Sequence, residues 1–212
     1  MPNAPSRDEC LTLINRYRMP HNIRRHTAAV LTLSMALAKK LNDKDMHVDL
    51  DVLRAGAMLH DLFKVKDIMD VDDGQLSEHP EEDWAVWRKL KEEQKLPHDE
   101  AICQLLLPKY PKVATVIREA GFMNIFVRGF SSMESKILYY ADKRVMHDKI
   151  VSVLDRLDEG YSRYLRHHNN AISMSLAYEK IKELEDELMQ KAGAEQESFN
   201  ALNAEAQKEN LE

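Results

Sequence analysis

Apolar residues in this chain recur at intervals of three and four, and runs that alternate apolar with polar are nearly absent. Such spacing lays apolar side chains along one stripe of a helix and leaves little to line the face of a sheet. No other feature narrows the fold as much, and it predicts an all-α domain. Over Asn22–Leu41 the stripe is Ile23, Ala29, Val30, Leu33, Leu37 and Leu41. Further helices are predicted over Ser6–Tyr17, from Asp49 (an acceptable N-cap) through Leu50, Leu53 and Ala57, and over Glu81–Gln94. Trp84 and Trp87 share one side of the last of these; they are expected in the core, with stacking on a base as the alternative. Pro97 and Pro111 mark the starts of His98–Leu107 and Lys112–Glu119. Met133–His147, Ser152–Leu165 and an amphipathic Ile172–Lys191 complete the set. Asp67–Pro80 reads as an acidic loop, and Gly121–Ser132 as a loop or short extended segment. The helical core is expected to span 1–166. Residues 167–212 are expected to form a C-terminal helix and a polar acidic tail, frayed or helical only against a partner. That extension is the surface on which a homodimer would form.

Thirty-six acidic residues against 30 basic ones leave a formal charge of −6, so no basic excess points to long nucleic acid. Cys10 and Cys103 lie far apart with no paired-cysteine motif, so neither a disulfide framework nor a zinc knuckle is signalled. The N-terminus has no signal-peptide core, and no run approaches the roughly 20 apolar residues of a membrane span. A soluble cytoplasmic protein is expected.

Within the apolar patterning, AMLHDLFK (Ala57–Lys64), which follows Gly56, sets His60, Asp61 and Lys64 into a segment headed for the core. Burying such groups unpaired costs on the order of several kcal/mol each. Two other segments carry the same anomaly. His26 precedes Ala29, Val30 and Leu33 at i+3, i+4 and i+7, and Asp142 lies between Leu138 at i−4 and Val145 at i+3. Three helices thus direct titratable groups inward, and a divalent metal satisfies imidazole nitrogens and carboxylates together. His60 and Asp61, about 100° apart on a helix, can share an ion only off the helix flank, with His26 and Asp142 as partners. Four protein ligands leave positions of a six-coordinate ion open, as catalysis requires. The alternatives are hydrogen-bonded or surface histidines, and an Asp142 paired with Lys136, Lys143 or Arg144.

The order of these residues and their flanks resembles the HD-domain superfamily of metal-dependent phosphohydrolases, over about Met19–His147. His26 in RRHTAAV is similar to the family's first histidine. AMLHDLFK is similar to its HD doublet with the following lysine, and Asp142 in YYADKRV to its final aspartate. The resemblance implies an HD-domain helical bundle with a C-terminal helical extension. It also implies one divalent ion, Mn, Fe, Co, Ni, Mg or Zn, on His26, His60, Asp61 and Asp142. Two-metal members carry two further histidines. His98 in LPHDEAICQLL resembles the first, but Glu119, Ala120 and Gly121 stand where the second would fall. His98 is instead a candidate contact for substrate phosphate, or a plain helix-start histidine. His79 is read as a surface residue, and His21, His47, His147, His167 and His168 carry no special argument.

The implied chemistry is hydrolysis of a small phosphorylated substrate, a nucleotide phosphomonoester by analogy with relatives. Asp61 would orient or deprotonate water, and Lys64 would neutralise phosphate charge. His98, Arg25 and Lys143 are the further substrate-binding candidates; Arg24 and Arg144 also flank the ligands, and solvated helix charge is the alternative for these basic residues. No Gly-rich phosphate loop is present. A second class is a slow or non-catalytic nucleotide-binding sensor or scaffold. A third, two-iron oxygenase chemistry, is disfavoured by the missing histidine.

Overall fold

The computed structural model describes residues 3–70, 74, 76–164, 173–209 and 211. Helix α1 (Arg7–Arg16) opens on a reciprocal cap in which the Ser6 hydroxyl accepts from the Glu9 amide and Glu9 accepts from the Ser6 amide. In α2 (His21–Asn42) the whole predicted stripe, Ile23 to Leu41, is buried. Helix α3 (Leu50–Leu59) starts at the predicted cap, where Asp49 accepts from the Val52 amide at 3.2 Å. Then follow α4 (Val65–Ile68), α5 (Glu81–Glu93), α6 (His98–Leu106), α7 (Pro111–Glu119), α8 (Asn124–Val127) and α9 (Met133–Asp142). A two-residue ladder pairs β1 (Val145–Met146) with β2 (Lys149–Ile150). The chain ends in α10 (Val153–Tyr164), α11 (Met174–Ala192), a 3₁₀ segment Gln196–Leu202 and α12 (Asn203–Ala206).

Helices α2, α3, α7 and α9 pack against one another and form the centre of the domain. Gly56 sets how closely they approach: a Cβ there would lie 3.1 Å from Val116 Cγ1 on α7 and 3.4 Å from Leu138 Cδ2 on α9. Trp87 is fully enclosed, and its indole N–H donates to the Arg18 carbonyl at 2.9 Å. Trp84 meets it edge-on. Trp87 is therefore a core residue with no face left for a base.

Several expectations need correction. The helix predicted over Met133–His147 stops at Asp142, and the chain turns into the β1–β2 hairpin instead. Its apolar residues fit a helical stripe, but contacts from the distant C-terminus claim the backbone, as described below. The Gly121–Ser132 loop contains the single turn α8, and the Asp67–Pro80 loop begins with the end of α4. The tail is ordered against the domain itself. Gly193, at φ +59, closes α11 in the left-handed conformation that glycine adopts without strain. Beyond it Phe199, Ala206 and Leu211 are buried, Arg7 pairs with Glu209 at 2.6 Å, and Arg24 donates to the Leu211 carbonyl at 2.7 Å. The apolar stripe of α11 (Ala177, Ile181, Leu184, Leu188, Ala192) is likewise buried within the chain. The expected helix end at Leu165, the helix start at Ile172, the 166/167 boundary, His167 and His168 lie outside the described residues. No described helix is long and apolar enough to cross a membrane.

Candidate metal centre

Helix α3 stops at Leu59, and His60 to Lys64 run in tight turns closed by Leu62 N to Leu59 O at 3.1 Å and Lys64 N to Asp61 O at 3.0 Å. A helix end leaves carbonyls without amide partners. That of Ala57 is taken by His60 Nδ1 at 2.9 Å. Since only an N–H donates to a carbonyl, Nδ1 carries a proton, and in the neutral ring Nε2 is then a bare lone pair. This nitrogen is buried and has no hydrogen-bond partner among the described residues. His26 repeats the arrangement: its Nδ1 donates to the His147 carbonyl at 2.9 Å, leaving Nε2 3.0 Å from Asp142 Oδ1. Two acceptors that close repel each other unless a proton or a cation lies between them.

The lone pairs converge. His60 Nε2 is 3.7 Å from Asp61 Oδ2 and 3.8 Å from Asp142 Oδ1, and donor atoms of His26, His60 and Asp142 all lie within 4.8 Å of one another. Asp61 joins from the side, with Oδ2 3.9 Å from His26 Nε2. Burial pushes the His60 pKa down against the pull of both carboxylates, which favours the neutral ring. Burial works to raise Asp142, but Lys143, His26 and His60 outweigh it and hold the carboxyl well below the usual range. Asp61 is likewise lowered, burial being outweighed by His60, His98 and Lys64. Imidazole lone pairs beside two ionised carboxylates are a donor set that fits a divalent cation and offsets its charge. The orphaned Nε2 of His60 is the observation that makes the fit specific.

A family model described as the HD domain matches residues 23–160, well over half of the chain. The chain belongs to the HD-domain family. HD domains bind divalent metals, and the family is typically hydrolytic. No curated protein and no solved structure gives a significant match. The HD-domain match contains every residue of the convergent cluster and stops short of α11 and the tail.

Around this HD-domain cluster the expected substrate residues fare differently. His98 is brought in, with Nε2 3.3 Å from Asp61 Oδ1 and Nδ1 2.7 Å from Asp67 Oδ2. Burial and Lys64 lower its pKa, but bonds to Asp61 and Asp67 outweigh them and raise it. Asp67 comes from the start of the acidic Asp67–Pro80 stretch; its carboxylate also accepts from Lys66 at 2.6 Å, and Lys66 Nζ further donates to the Leu96 carbonyl at 2.7 Å. Lys64 is half-buried, and its charge is felt at both Asp61 and His98. Lys143 is buried, donates to Asp142 Oδ2 and sits over the Tyr139 ring at 5.0 Å and the Phe122 ring at 5.9 Å. Arg25 is not brought to the cluster: one residue before His26 it is turned about 100° away, exposed, and 3.5 Å from Asp148. His79, expected at the surface, is enclosed between His21 and Trp87 and bonds Asp83 at 3.1 Å.

His147 acts through its main chain. It holds φ 56, a left-handed conformation uncommon outside glycine, and its carbonyl fixes the His26 ring. His147→Gly keeps that carbonyl and relieves the backbone, so metal content measured by elemental analysis is expected to match the wild type. A loss of metal would show that the imidazole itself is needed.

Proposed function

We propose that this HD domain is a metal-dependent phosphohydrolase of small phosphorylated substrates, and we assign it nucleotide phosphomonoesters. The observation that carries the reading is the partnerless Nε2 of His60, facing two ionised carboxylates with Lys64 beside them. His26, His60, Asp61 and Asp142 are the residues that would hold the ion. A divalent ion held there supplies positive charge at a phosphoryl oxygen and a more acidic water.

The remaining work falls to the chain. Asp61 orients the attacking water and takes its proton at Oδ1, the oxygen that His98 Nε2 approaches to 3.3 Å. Lys64 binds the phosphate oxyanion and stabilises charge that develops as the ester bond breaks. His98, whose Nδ1 is fixed by Asp67, contacts the phosphate through Nε2. Lys143 keeps Asp142 ionised and oriented, while Arg25, engaged with Asp148, contributes least. The −6 formal charge supports a small substrate rather than long nucleic acid.

The test is a screen of phosphomonoesters with Mn, Fe, Co, Ni, Mg and Zn. Lys64→Ala is expected to keep its metal while turnover falls on the order of 10²-fold, the scale of losing one charge-stabilising donor. Phosphate release with none of the metals, from nucleotides that bind unaltered, would replace this reading with the sensor.

A further inference from the structure

We propose that the C-terminal segment beyond the HD-domain match positions the ligand candidate His26, with Asn203 as the positioning residue. The metal-binding arm of this inference rests on the site reading above.

The His26 ring is anchored on its outer side through Nδ1, which donates to the His147 carbonyl at 2.9 Å. His147 sits with Asp148 in the two-residue turn of the β1–β2 hairpin, which the pair Met146–Lys149 closes and the pair Val145–Ile150 backs. A ladder this short is not stable alone in water, and a non-glycine residue at φ 56 persists only where its surroundings enforce it. The enforcing contacts come from far along the chain. Val151 N bonds Arg144 O at 2.7 Å, so the Ile150 amide and carbonyl point to the free edge of β2. There the Asn203 side chain behaves as a missing strand: Ile150 N donates to Asn203 Oδ1 at 2.7 Å, and Asn203 Nδ2 donates to Ile150 O at 3.1 Å.

A second brace runs through Arg144. Its Nε donates to the Val151 carbonyl, and its other nitrogens reach Glu185 Oε1 and Asn200 Oδ1, each at 3.2 Å. Glu185, Asn200 and Asn203 all lie beyond residue 160, where the family match ends. The segment that delivers them is itself anchored by buried Phe199 and Leu211. A group held at a metal site gains affinity from the outer bonds that fix its tautomer and orientation. Here the last link in that support is an asparagine 177 residues away from His26 in the chain, counting 203 minus 26.

The experiment uses the full, metal-free chain labelled with ¹⁵N, and Mn²⁺ as the probe. In the wild type, NMR of the His26 ring should report a proton on Nδ1 that exchanges slowly with water, as its bond to the His147 carbonyl requires. Asn203→Ala should lose that protection in a folded chain and bind Mn²⁺ on the order of 10-fold more weakly. Asn203→Asp, which keeps the acceptor and loses the donor, should fall between them. Wild-type Nδ1–H protection and Mn²⁺ affinity in a folded Asn203→Ala overturn the proposal. Should that variant not fold, the same result in Asn203→Asp overturns it. A wild-type chain that binds no Mn²⁺ and releases no phosphate sinks the functional reading, yet the protection of the His26 Nδ1–H in the variants still decides this one.

Discussion

His60→Ala is expected to leave a folded chain whose metal content drops to background and whose turnover falls by at least ~10³-fold, the scale of losing the main electrostatic stabiliser of a reaction. The side chain removed is the one whose Nδ1 is anchored to Ala57 and whose Nε2 has nothing else to bind. Its loss takes away a donor without unpairing a charge, so the fold should survive. Asp142→Asn keeps the volume and removes the charge that offsets the ion; it should lose metal as completely. Elemental analysis after purification without chelator reads both. Full occupancy in either variant would remove that residue from the ligand set, whatever the activity.

The second large effect concerns stability. Arg144 and Glu185 are each 1% exposed, and Glu185 also accepts from Tyr140 at 2.7 Å and pairs with Lys182 at 3.2 Å. Removing one partner of a buried ion pair strands the other without solvent, at a cost of about 3–5 kcal/mol. Glu185→Ala should therefore unfold at a much lower denaturant concentration than the wild type, with α11 and the tail loosened from α9. Replacing both charges at once, as in Arg144→Met with Glu185→Leu, should recover much of the loss, because no unpaired charge remains. A Glu185→Ala chain within about 1 kcal/mol of wild type, inside the range of an ordinary point change, would mean the network does not brace the hairpin.

These two predictions differ in how visible their residues were beforehand. His26, His60, Asp61 and Asp142 could be read because each breaks a local pattern: a polar group at a position where the helical period demands an apolar one. The cost of burying such a group points to a shared partner from the residue pattern alone. Caps and breakers were equally local, so Asp49, Pro97 and Pro111 announced their helices correctly. Asp67 was not readable, because nothing in an acidic stretch distinguishes the carboxylate that will meet His98 from its neighbours. Arg25 and Lys143 looked equivalent as charges flanking ligands. The direction of a side chain from its helix, and the carboxylates Asp148 and Asp142 waiting there, separated them.

Read in one dimension, the chain is helical, its buried faces are marked, and three segments carry titratable groups toward one core. Periodicity and capping are properties of a few neighbouring residues, so they survive reading in one dimension. Packing across the chain sets the rest: α9 ends at Asp142, the His147 carbonyl accepts from His26, Asn203 bonds Ile150, and Glu185 meets Arg144. Backbone carbonyls are identical at every position, and bonds across more than 40 residues leave no local trace. Those choices belong to the packed molecule.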